Sequence, residues 1–219
     1  MKNKIIFYIL LIFISLINRN ILFANEFIFE TKEINILEKG NIIEASEGIA
    51  KSVDDNIKIK AEKFKYNKTL SILNAADAIA ELLEDNMQIK ADKIEFNSKK
   101  SRIKATGNVH IKDFTKNINI KSQDVFYYLK DKKLISKNSS TIADNLGNNF
   151  KLKSFNYDLI NEIIKSDEDS TAKDNLGNIF KMNSFVYTSS DNILRLDNAE
   201  IQDTENNKFR FKKAYLNLI

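Results

Sequence analysis

The sequence predicts an all-β protein, a pile of two-stranded layers with one layer per roughly 30 residues, and three observations predict it. The first is a repeat. Ile59-Lys60-Ala61-Glu62-Lys63-Phe64-Lys65-Tyr66 returns as Ile89-Lys90-Ala91-Asp92-Lys93-Ile94-Glu95-Phe96 and again, more loosely, from Ile120 to Tyr127. Further copies begin at Phe29, Phe150, Phe180 and Phe209, so successive copies lie 30, 30, 31, 30, 30 and 29 residues apart. Asp144-Asn145-Leu146-Gly147-Asn148 recurs 30 residues later as Asp174-Asn175-Leu176-Gly177-Asn178, which confirms the period independently. The second observation is the pattern inside a copy. Apolar or small residues occupy offsets 0, 2, 5 and 7, two stretches of strand alternation joined by a step of three. A helix does not produce that pattern; a strand with a bulge or corner at its middle does, and it returns both halves to one buried side. The third is the absence of proline from all 219 residues, as expected where uninterrupted ladders need every backbone donor.

Taken in order, each first strand leads through a short polar turn to a second strand. Tyr66-Asn67-Lys68-Thr69-Leu70 leads into Ser71 to Ala76, and Asn97-Ser98-Lys99-Lys100-Ser101 into Arg102 to Ile111. Gly and Asn in these links supply left-handed backbone angles. Seven first strands and six second strands give about thirteen. Ala76 to Glu84 has good local helix propensity, but its place in the period makes it a strand. The inward set mixes large residues with the small Ala61, Ala91 and Ser122, which suits either a solid interior or a groove between two sheets. Phe27-Ile28-Phe29 and Phe209-Arg210-Phe211 are strand-like and uncapped, so Phe27, Phe29, Phe209 and Phe211 mark edges expected to take up a partner's strand.

Residues 1–24 read as an export signal: Lys2 and Lys4, an apolar run from Ile5 to Leu16, and Ala24 at the expected cleavage point. An uncleaved anchor is the alternative. Residues 25–219 form the repeat domain. Without Lys2, Lys4 and Arg19 the exported chain carries 31 basic and 30 acidic residues, interleaved along its length, and the dense basic face of a nucleic-acid binder is missing. With no Cys and one His, a disulfide framework, a thiol nucleophile and a multi-His metal site are excluded. Acids such as Glu81, Glu84, Asp85 and Asp167-Glu168-Asp169 fall in turns and at outward positions, as a solvated face requires, and His110 lies opposite to its apolar neighbours. No catalytic residue, cofactor or metal is expected.

The string Ile89 to Phe96 followed by Ile103-Lys104-Ala105-Thr106-Gly107-Asn108-Val109-His110-Ile111 resembles the lipopolysaccharide-transport bridge family, also called the OstA-like N-terminal domain, in which such strands alternate in this order. The resemblance runs from about Phe27 to Leu216 and is strongest from Ile57 to Tyr127; later copies drift, with Leu152-Lys153 and Met182-Asn183 at the Ala-Asp positions. It implies an open, V-shaped antiparallel β-jellyroll (a β-taco), located in the periplasm, non-enzymatic, joined end to end to other jellyroll proteins by edge-strand addition, and carrying lipopolysaccharide acyl chains along an apolar inner face. The residues of this chain that would line that face are Ile59, Phe64, Tyr66, Ile89, Ile94, Phe96, Ile120, Val125, Tyr127, Phe150, Leu152, Phe155, Tyr157, Phe180, Met182 and Phe185. Two alternatives are a truncated N-terminal domain of the outer-membrane lipopolysaccharide translocon and a ligand-free structural β-solenoid.

Overall fold

The computed structural model describes residues 27–218; the expected export signal lies outside them. These residues form a single antiparallel sheet through which the chain runs back and forth, each pass pairing with the one before and the one after. The first seven passes are unbroken: β1 (Ile28–Leu37), β2 (Ile42–Ser52), β3 (Ile57–Asn67), β4 (Ile72–Leu82), β5 (Met87–Asn97), β6 (Arg102–Asp113) and β7 (Ile118–Tyr128). Four are interrupted at mid-length: β8 (Lys133–Ser136) with β9 (Ser140–Ala143), β10 (Asn149–Leu152) with β11 (Phe155–Asp158), β12 (Ile163–Ser166) with β13 (Ser170–Lys173), and β14 (Ile179–Met182) with β15 (Ser184–Thr188). β16 (Ile193–Gln202) and β17 (Lys208–Asn217) complete the sheet. The thirteen expected strands are therefore thirteen passes, described as seventeen strands because four are split. The stretch with helix propensity is β4 as far as Leu82 and a turn beyond it.

The step of three in the sequence is a corner. In β3 the buried positions run Ile57, Ile59, Ala61 and then Phe64, Tyr66, so the inward parity changes between Ala61 and Phe64. Its neighbours change parity at the same rung: Ala45 to Ala50 on β2 and Ala75 to Ala78 on β4. The register continues unbroken through it, with Ser46 opposite Lys63 on one side and Gly48 opposite Ala61 on the other. Because all strands turn together, the sheet creases along a line through its middle and its two halves face each other as two walls. Left-handed residues make the corner in alternate strands: Glu47, Asp77, Asn108 and Asn198, with φ of 45°, 48°, 44° and 47°. Asp and Asn tolerate that conformation better than other side chains. Where β8/β9 and β12/β13 are split, serine hydroxyls take up the backbone groups instead. Ser136 Oγ accepts from the Asn138 N–H and Ser140 donates to the Asn138 carbonyl, and Ser166 and Ser170 treat Glu168 in the same way. Such local bonds compete with the ladder and end the strand.

The uneven period has a structural cause. The second pass of a copy crosses the crease in three residues in β4 (Ala75 to Ala78) and in four in β6 (Ala105 to Val109), where Gly107 is the extra residue and the ladder shifts by one. The turn that follows takes nine residues from Ala80 to Ile89 and from Ile111 to Ile120, but eight from Ile142 to Phe150 and from Ala172 to Phe180. The spacing is 31 where the longer crease and the longer turn coincide, 30 where one is long, and 29 around β16, where both are short.

Gly48 sits at the crease against β1. A Cβ there would lie 2.3 Å from the Glu30 carbonyl oxygen and 2.6 Å from the Thr31 Cα, both backbone atoms that cannot rotate away. Gly48→Ala is expected to lower unfolding stability by about 1–3 kcal/mol in urea titrations, with hydrogen exchange accelerated chiefly in β1. An unchanged β1 exchange rate would contradict this account of the crease.

Candidate functional site

The seam between the walls runs the length of the sheet, and all sixteen residues expected to line it are there. Each is at most 3 % exposed, from Ile59 and Phe96 at 0 % to Phe64 and Met182 at 3 %. The seam is filled by these side chains packing on one another. Lys65 and Glu95, alternating with them, point outward.

Contacts across the seam are displaced along the sheet. Phe29 before the crease of β1 meets Phe64 beyond the crease of β3, with centroids 6.0 Å apart. Phe27 meets Tyr66 at 5.0 Å and Phe96 at 5.7 Å. Phe150 of β10 meets Phe185 at 5.7 Å and Tyr187 at 5.0 Å, both on β15. The first wall at one pass therefore faces the second wall two or more passes further on, and each wall overhangs at one end. Phe27, just before β1, is 4 % exposed, while Ile34 and Ile36 within the strand are 50 % and 65 % exposed. Within β17 the order is reversed: Phe209 and Phe211 are 49 % and 43 % exposed and Ala214 is buried. Of the four residues expected at the edges, Phe29, Phe209 and Phe211 lie on the edge strands, while Phe27 turns into the seam.

Opposite the crease, where hairpin turns form the rims of the walls, side chains join one rim to the other. Tyr127, Tyr157 and Tyr187, one per copy near the end of the second wall, donate their hydroxyls to Asp85, Asp113 and Asp144 at the rim of the first wall, in its turns or at the strand end that enters one; the last two bonds are 3.1 and 3.0 Å. Asp113 and Asp144 each serve twice. One carboxylate oxygen accepts turn N–H groups, from Thr115 and Lys116 or from Leu146 and Asn148, and the other accepts the tyrosine. This explains the repeated Asp-Asn-Leu-Gly-Asn: the Asp caps the turn, the Gly at φ 95° or 100° closes it, and the final Asn bonds back to the Asp. Asp203 to Asn207 builds the same turn with Asn206 at the glycine position. The ion pairs Lys116–Glu162 and Lys132–Asp85, the latter 2.8 Å, also cross between the rims. Asp85 is thus engaged by Tyr127 and Lys132, where its sequence position suggested a solvated turn.

Sequence reasoning placed Tyr127 and Tyr157 in the lining but missed the carboxylates that hold them. The signal was present: a polar tip at the same inward position in three successive copies, with Asp85, Asp113 and Asp144 recurring at similar spacing.

Burial first, and then the facing Asp carboxylates, push all three phenols well above their ordinary value of 10.0. The folded chain retains these protons at a pH where the unfolded chain has lost them, so the stability they contribute is complete below pH 10 and declines as pH rises above it. The decline approaches about 1.4 kcal/mol per pH unit for each tyrosine. Urea titrations from pH 8 to 11 should show this loss, with a shallower slope when all three are Phe. Tyr157→Phe alone is expected to lower stability at pH 7 by about 1–3 kcal/mol, since it removes a bond to a charged acceptor; no change would remove the rim bonds from the account.

No known protein-family profile matches the chain, and no curated protein matches it. Among solved structures it is similar to LptH of Pseudomonas aeruginosa, described as the LptA-homologous periplasmic component of the lipopolysaccharide transport device, at 14 % identity, covering 61 % of this chain and 95 % of that one with a TM-score of 0.48. It is similar more distantly to the TCP10 domain of Danio rerio CPAP bound to a STIL peptide, at 8 % identity, covering 78 % and 99 % with a TM-score of 0.15. The all-β, antiparallel assignment rests on the strand pairing itself.

Proposed function

We propose that the chain is a non-enzymatic, periplasmic lipid-binding bridge component that holds the acyl chains of lipopolysaccharide between its two walls on the way from the inner to the outer membrane. The observation that carries this reading is a continuous apolar seam whose walls share backbone bonds within each wall and around the crease, while the opposite rims meet through side chains. The walls can part there without breaking a ladder. The repeated motifs from Ile89 to Ile111 support the same reading.

Energetics set how such a lipid enters. Exposing a buried large apolar side chain costs about 1.5–3 kcal/mol, so uncovering all sixteen would cost on the order of tens of kcal/mol, more than a domain's entire stability of about 5–15 kcal/mol. The seam does not open at once. A lipid displaces contacts tier by tier, starting where one wall is already bare, at Ile34 and Ile36 or at Phe209 and Phe211. Those bare ends lie on the edge strands β1 and β17, which supply the backbone groups for strand addition by neighbouring jellyroll proteins.

The filled seam favours a second reading, a ligand-free structural β-solenoid. Photo-crosslinking residues at Phe96 and Phe155 separate the two. In cells they should capture lipopolysaccharide, while Lys65 and Glu95 should not. Capture only at the outward positions, or at none, leaves the solenoid.

A further inference from the structure

The outer face of the first wall carries a feature that lipid conduction does not use. The outward residue between the two apolar positions there is Lys60, Lys90, Lys121, Lys151 and Lys181 in five successive copies, all exposed. Strand pairing sets them in one row across the sheet. Lys90 lies beside His110, His110 beside Lys121, Lys121 beside Thr141, Thr141 beside Lys151, Lys151 beside Thr171 and Thr171 beside Lys181. A lysine on every second pass gives a spacing of about 9–10 Å.

From His110 to Lys181 this row holds no acid, and a groove of about 960 Å³ follows it. The acids beside the groove are already matched: Asp169 pairs with Lys153 at 3.0 Å and Glu200 with Arg210 at 2.9 Å, although Lys181 also helps to hold the Glu200 carboxyl below its ordinary range. Lys121, Lys151 and Lys181 end in no ion pair or hydrogen bond with a described residue.

We propose that this groove binds a linear anionic glycan carrying one acidic group per disaccharide, laid across the strands. The spacing of the lysines matches a charge on every second sugar of an extended chain, and the hydroxyls between them, exposed Thr141 and half-buried Thr171, supply donors and acceptors for the neutral sugars. Duplex nucleic acid carries a charge about every 1.7 Å, far denser than the row, and the groove lacks the Phe, Tyr or Trp platforms on which single-stranded bases stack. A flat lipid surface fits a concave groove poorly.

The test measures binding of hyaluronate oligosaccharides, with one carboxylate per disaccharide, to the full chain at low salt. Neutral dextran and phosphatidylglycerol vesicles are the comparison probes. Lys121→Gln/Lys151→Gln/Lys181→Gln should weaken hyaluronate binding at least about tenfold, and the corresponding Lys→Arg triple should retain it. Lys39→Gln/Lys68→Gln/Lys100→Gln, an equal loss of charge from exposed turns of the other rim, should change it by less than about twofold. Equal loss in both glutamine triples, equal binding of dextran, binding of the vesicles in place of hyaluronate, or no hyaluronate binding would each overturn the proposal. These residues lie outside the seam, so lipid capture at Phe96 succeeds or fails separately.

Discussion

The structure depends on one backbone constraint: every strand must turn its inward side over at the same rung. If a single strand changed parity elsewhere, its far half would present lysines and glutamates to the seam and apolar side chains to water, because the side-chain period of a strand is two. Neighbouring strands therefore hold one another to a common crease. The solutions differ locally, with a left-handed Glu, Asp or Asn in some passes and serine-capped breaks in others, but the line they share does not. The crease and the following turn each take one residue more in some copies than in others, so the repeat length varies from 29 to 31 while the shared line of the crease is kept.

Once the sheet is creased, its two closures differ in kind. Around the crease the walls are joined by the chain itself. At the opposite rims they are joined by phenol–carboxylate bonds and ion pairs, each a small fraction of the apolar contact area behind them. What keeps the seam shut is mainly its own filling. On the proposed lipid-carrying reading, a closure of this sort suits a lining that exchanges protein contacts for acyl contacts locally, and the displaced ends are where that exchange would begin without first breaking a packed tier.

The inner and outer faces are built by one repeat but carry different chemistry. Inward positions drift among Ile, Phe, Leu and Met, because packing accepts apolar residues of similar volume. The outward position between them keeps lysine through five copies, although exposed positions face no packing constraint. A near-neutral chain can thus carry a locally basic groove on one wall, which the net charge conceals.

The sequence by itself determined the all-β class, the period, the thirteen passes and the identity of most of the buried residues, because each depends on alternation along the chain and alternation is written in residue order. It identified Ile59, Phe96 and Phe155 as inward without any coordinate. It left two choices open, bulge or corner and groove or solid seam, and the tertiary structure decided both: a corner at every pass, with an extra residue at some, and a filled seam. Only the tertiary structure showed that the walls meet with a displacement of two or more passes, that Ile34 and Phe209 are consequently bare, and that Tyr157 reaches Asp113, 44 positions earlier in the chain. Those facts depend on the twist accumulated over many strands, a sum of small rotations that no local pattern records.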